Sequence, residues 1–90
     1  MKKMKIVIVS KIESEFAREI EEWARDYKYE TGQDVEQLDP DSIDGQMFAV
    51  AHDVTQYPTI LVLRDDGAVV RKWSGLPLPK FDNVSYYVGH

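Results

Sequence analysis

Ninety residues carrying a net charge of −5 and no cysteine bound this chain first. That length holds one domain and one core. With no thiol there is no disulfide, no thiolate metal site and no cysteine nucleophile. Sixteen acidic against eleven basic side chains argue against a nucleic-acid partner, whose phosphates are met by clustered Lys and Arg. Hydrophobic residues at 43% and charged residues at 30% give a globular balance rather than a disordered one.

The opening MKKMKIVIVS resembles a signal peptide, but its apolar run, Ile6 to Val9, is shorter than the ~7–15 residues of an h-region. No segment approaches the ~20 apolar residues of a membrane span, so no membrane association and a soluble, cytoplasmic chain are expected. The basic cluster Lys2, Lys3 and Lys5 is read as a solubility feature.

Ile6 to Val9 is a continuous β-branched run, the pattern of a strand covered on both faces. Ser10 with Glu13 three residues later fits a capping box that starts a helix. Ile12, Phe16, Ile20, Trp23 and Tyr27 step by three and four, one apolar stripe facing a core. The opposite face carries the i,i+4 pairs Arg18–Glu22 and Glu21–Arg25. Thr31 and Gly32 end this helix.

Asp34 to Asp39 reads as a short strand through Val35 and Leu38. The loop DPDSIDG follows and misses the calcium-loop register, since the bidentate acid falls on Val50; no metal site is assigned. Asp44 is the expected N-cap of a second helix, with Met47, Val50, Ala51 and Val54 as its inward positions. Thr59 to Leu63 is a second buried strand. Asp66-Gly67 predicts a type I′ hairpin, returning as Ala68 to Trp73, where Arg71 and Lys72 suit an edge. SGLPLPK is a loop, and Phe81, Val84 and Val88 predict a short final helix over Phe81 to Val88, with an extended tail as the alternative. The sum is an α/β fold: one mixed four-stranded sheet in the order β-α-β-α-β-β-α, with helices on both faces and the first two strands parallel.

In this order, the residues resemble the thioredoxin-like superfamily in its short, glutaredoxin-sized form. Tyr57-Pro58-Thr59, between a helix and a buried strand, looks like the loop where that family places a cis-proline. LRDDGAVVRKWSG looks like its strand–turn–strand and following glycine. Glutaredoxins commonly read S-K-P-G-C-P-Y-C where the first strand gives way to the helix; this chain reads SKIESEFA, Ser10 to Ala17. The resemblance therefore places Ser14 and Ala17 at the positions of the two lost cysteines, with Phe16 keeping the aromatic between them.

A helix N-terminus lowers a thiol pKa into a range of ~3.5–7.5, but a serine hydroxyl starts far higher and needs a general base. Neither His52 nor His90 is placed beside Ser14 by local spacing. No catalytic residue and no cofactor is assigned. The Tyr57–Pro58 bond is expected to be cis. In the family that geometry turns the preceding residue's backbone outward to pair with a peptide.

The expected role is thus a redox-inactive domain that binds a protein or peptide through Tyr57, Pro58, Thr59 and Phe16. The alternatives are a glutathione-binding or transferase-like domain using Ser14 and Lys11, or a structural subunit associating through the Trp73 edge. Partner identity and oligomeric state are not fixed by the sequence.

Overall fold

Apolar residues alternate across the two central strands, and this alternation organises the whole molecule. A computed structural model describes residues 4–12 and 15–88 of the chain. Its elements are β1 (Lys5–Val9), α1 (Ala17–Thr31), β2 (Val35–Leu38), α2 (Ile43–Ala51), β3 (Thr59–Leu63), β4 (Val69–Ser74) and α3 (Phe81–Val88). The sheet order is β2-β1-β3-β4. β2 lies parallel to β1, β3 antiparallel to β1, and β4 antiparallel to β3.

Because β1 and β3 are central, both of their faces are covered, which is why their sequences are unbroken apolar runs. Ile6, Ile8, Ile60 and Val62 face α1 and α3, where they meet Ile20, Ala24, Tyr27 and Val84. Val7, Val9, Leu61 and Leu63 face α2, where they meet Ala49 and Val54. Burying each such side chain contributes about 1.5–3 kcal/mol relative to leaving it in water.

The aromatic residues of α1 lock it to α3. Trp23 stacks on Tyr27 at 5.2 Å between centroids, and Phe81 meets both rings edge-on at 5.3 Å. Their polar tips are satisfied: Trp23 Nε1 donates to the Pro79 carbonyl at 3.0 Å, and the Tyr27 hydroxyl shares a 2.9 Å hydrogen bond with Ser85. Trp73 is half-buried against the same core.

Four sequence expectations are corrected here. Ser10 does not cap α1. Its N–H donates to the Leu38 carbonyl at 3.0 Å, so it prolongs the β1–β2 pairing, and the helix starts at Ala17 with Phe16 as an N-cap that offers no side-chain hydrogen bond. Glu13 lies outside the described residues, and Ile12, off the helix, is 70% exposed. Arg18–Glu22 forms at 3.5 Å, whereas Arg25 turns to Asp26 at 3.7 Å instead of Glu21.

The second correction is the cap of α2, which is Ser42 rather than Asp44. Ser42 Oγ accepts from the Gly45 N–H at 3.0 Å and donates to the Asp39 carbonyl at 2.6 Å. The third is the face of that helix. Gly45 and Ala49 point inward with Phe48 half-buried, while Met47 and Val50 are 67% and 84% exposed and Ile43 is 77% exposed. Small residues let α2 lie close to the sheet; Phe48 packs beside them on the core, and Ile43, Met47 and Val50 are left outside.

The fourth concerns the hairpin. A type I′ turn needs positive φ at both central residues. Among the described residues Asp53 is the one non-glycine with positive φ, while Gly67 has φ 90°. The loop is instead three residues long, Asp65 to Gly67, closed by Gly67 N–H to the Arg64 carbonyl and Arg64 N–H to the Ala68 carbonyl, both at 2.9 Å. Asp66 Oδ1 accepts from the Ala68 N–H at 2.9 Å, and that bond, with the Arg64 guanidinium beside it, holds the Asp66 carboxyl below its usual range.

Candidate functional site

The site builds from the two chain segments that leave the sheet at the same end. β1 ends at Val9 and β3 begins at Thr59, and the two residues are paired across the ladder. Beyond them, Ser10, Lys11 and Phe16 are thereby held beside Tyr57 and Pro58. The Tyr57–Pro58 bond is cis, as is Leu76–Pro77.

Pro58 is buried and its carbonyl accepts from Gly75 N–H at 2.8 Å, which pins the loop to the start of the segment after β4. Thr59 is wholly buried, and its hydroxyl donates to the Gln56 carbonyl at 2.6 Å. Its side chain therefore serves the loop from within and presents nothing outward. Tyr57 is the exposed member of the trio, at 40%. Among the described residues, its N–H and C=O have no backbone hydrogen-bond partner.

Tyr57 stands as a wall between two clefts. One, of about 240 Å³, is lined by Phe16, Ile20, Lys11, Ser10 and Pro58. The Lys11 ammonium lies over the Tyr57 ring, 6.0 Å from its centroid. The other, of about 440 Å³, reaches Val50 and Gln46 on α2 and Asp53 beyond it. Phe16 is half-buried and packs on the α1-side core, so its ring forms a fixed floor to the first cleft.

The structure thus brings Phe16 together with Tyr57 and Pro58. It does not bring Ala17 with them: that residue opens α1 and lines a separate cleft towards Leu38 and Asp39 of the β2 end. Ser14 lies outside the described residues. His52 is occupied elsewhere, stacked on Phe48 at 4.0 Å with Nδ1 donating to the Phe48 carbonyl at 2.9 Å. Among the described residues, no group of three or more His, Asp or Glu side chains is placed to hold a metal ion. No described helix is long and apolar enough to cross a membrane.

Sequence reasoning did not single out Ile20 or Val50 as site residues. Ile20 appeared only as core, which it also is. Val50 appeared as an inward position of α2, and only the placement of Gly45 and Ala49 against the sheet reveals that it faces Tyr57.

Solved structures place this architecture. Thioredoxin 1 from Thermosipho africanus superposes with a TM-score of 0.67 at 14% identity, covering 93% of this chain and 89% of that one. The fold is thioredoxin-like. A chain of the ferredoxin: thioredoxin reductase and thioredoxin f2 complex matches at a TM-score of 0.63 and 20% identity, over 91% of this chain and 71% of that chain. A designed protein matches at 0.70 and 16%, covering 94% and 72%. No family model matches the sequence, and no curated protein matches it. At these identities the likeness extends to the thioredoxin-like fold and no further. Within it, this chain has no cysteine to place at any position.

Proposed function

We propose that this chain is a redox-inactive thioredoxin-like domain that binds a protein or peptide segment in extended form at the Tyr57–Pro58 loop. The observation that carries the reading is the state of Tyr57. Its ring is exposed between two clefts while its N–H and C=O, among the described residues, lack backbone partners. An unpaired donor and acceptor beside an apolar floor is what an incoming extended segment needs: main-chain pairing for affinity, and side-chain pockets for selection. Phe16 and Ile20 supply the apolar floor, and aromatic residues in such pockets dominate binding energy.

Disulfide exchange by this chain is excluded by the absence of sulfur nucleophiles. The charge near the loop is mixed, with Lys11 on one side of Tyr57 and Asp53 on the other. The acidic total favours a basic partner through long-range attraction, and the association then weakens as salt rises.

The test places a photo-crosslinking amino acid at position 57, with one at Tyr29 of α1, which is 90% exposed, as the control. Crosslinks from position 57 and not 29, lost in Phe16→Ala, are expected. Equal capture at both positions would refute the reading. Amide shifts at Lys11 and Tyr57 on adding glutathione would favour the glutathione-binding alternative instead.

A further inference from the structure

The outer edge of the sheet carries a second candidate surface, which does not rest on the reading of the Tyr57 loop. β4 is an edge strand with β3 on one side only. Gly75 N–H donates to Pro58 across the β3–β4 pair at 2.8 Å. Antiparallel ladders alternate with a period of two, so Trp73 and Arg71 turn their backbone groups to β3, and Lys72 and Ser74 direct theirs outward.

The charge here is opposite to that of the chain as a whole. Arg71 and Lys72 follow one another on this edge with side chains on opposite faces of the sheet; Lys72 Nζ donates to the Asp53 carbonyl at 3.1 Å, and among the described residues Arg71 has no carboxylate partner. The Arg71 guanidinium lies over two rings, 5.4 Å from the Trp73 centroid and 5.7 Å from that of Tyr87. Such stacking orients the guanidinium, whose planar fork fits a carboxylate. Beside it, Trp73, Tyr86, Tyr87 and Asn83 line a cleft of about 270 Å³ between β4 and α3. Tyr86 is 74% exposed at its rim.

A second copy is a poor fit for this edge. A ladder between two β4 strands needs outward-facing residues opposite one another, and the two such registers that keep most of β4 paired set Lys72 against Lys72 or Arg71 against Arg71. Like charges directly opposite are destabilising. The bulge at Val70, where Leu63 pairs with Val69 but Val62 pairs with Arg71, further limits self-pairing. Nor does the edge suit a nucleic-acid strand, which has no row of amides for Lys72 and Ser74, and two cations do not build a phosphate track.

We propose that the β4 edge takes an extended acidic peptide segment. Its backbone pairs with Lys72 and Ser74, a carboxylate side chain sits on Arg71, and a neighbouring apolar or aromatic side chain enters the cleft against Trp73, Tyr86 and Tyr87.

The test titrates ¹⁵N-labelled protein with a blocked peptide alternating glutamate and valine around one tyrosine, and with the same peptide carrying lysine for glutamate. Saturable shifts confined to β4 and the Asn83–Tyr87 stretch are expected with the acidic peptide alone, together with a change in Trp73 fluorescence. Arg71→Glu should weaken binding about tenfold or more. Tyr86→Ala, at an exposed position that folding does not need, should weaken it severalfold and keeps the test open if Arg71→Glu does not fold. Shifts elsewhere, equal binding of the lysine peptide, no saturation at millimolar peptide, tighter binding of oligothymidylate to the same residues, or unchanged binding by both variants would each overturn the proposal.

Discussion

Gly45→Ala should destabilise this domain although it adds a better helix former inside a helix. Gly45 is buried on α2, and a Cβ at that position would land on the Asp39 backbone carbonyl and within 2.9 Å of Ser42 Oγ. On propensity alone the change favours the helix by about 1 kcal/mol. Forcing a methyl into a filled site costs about 1–3 kcal/mol, and more where backbone rather than a side-chain tip must move. The Asp39 carbonyl is also fixed by two donors, Ser42 N–H at 3.0 Å and Ser42 Oγ at 2.6 Å, so its displacement disturbs the cap of α2. The net expectation is a loss of about 2 kcal/mol, which moves a urea midpoint down by about 1–2 M for a domain of this size. Ser42→Ala, which removes the cap without a clash, should cost about 0.5–2 kcal/mol. Equilibrium urea unfolding followed by tryptophan fluorescence measures all of this. An alanine variant as stable as the parent, or more so, would refute the close approach of α2 to the Asp39 loop.

Met47→Lys and Val50→Lys should each leave stability within about 0.5 kcal/mol because both side chains are exposed, whereas Leu61→Ala should cost about 2–5 kcal/mol; the same urea titration decides. The depressed Asp66 carboxyl gives stability that is present above the ordinary carboxylate pKa and is lost as pH falls through its lowered folded-state value. Asp66→Asn should therefore flatten the acid limb of a stability–pH profile, and an unchanged limb would show that the ionisation of Asp66 adds no pH-dependent stability.

Legibility in the sequence followed burial. β1 and β3 are read directly because both faces are covered and every residue is apolar. α3 keeps its predicted bounds because Phe81, Val84 and Val88 all pack on the core. The start of α1 was hidden because Ser10 has two uses for its position, cap or ladder, and the ladder with Leu38 wins. α2 was misread because a helix packed through glycine and alanine carries its large apolar residues on the wrong side of the usual pattern. The bulge at Val70 and the stacking of Arg71 depend on residues distant in sequence, and no local pattern announces them. At the candidate site, Tyr57 and Pro58 were readable from their place between helix and strand. The burial of Thr59 and the approach of Lys11 and Val50 needed the folded chain.

The central claim is that the backbone of Tyr57 is a docking edge, and amide hydrogen exchange at Tyr57 tests it most directly. In the free protein this N–H, unpaired among the described residues, should exchange fast. On adding a partner captured through position 57, that exchange should slow while the amide of exposed Tyr29 on α1 is unchanged. A partner that binds with the Tyr57 amide still exchanging at its free rate would contradict the account.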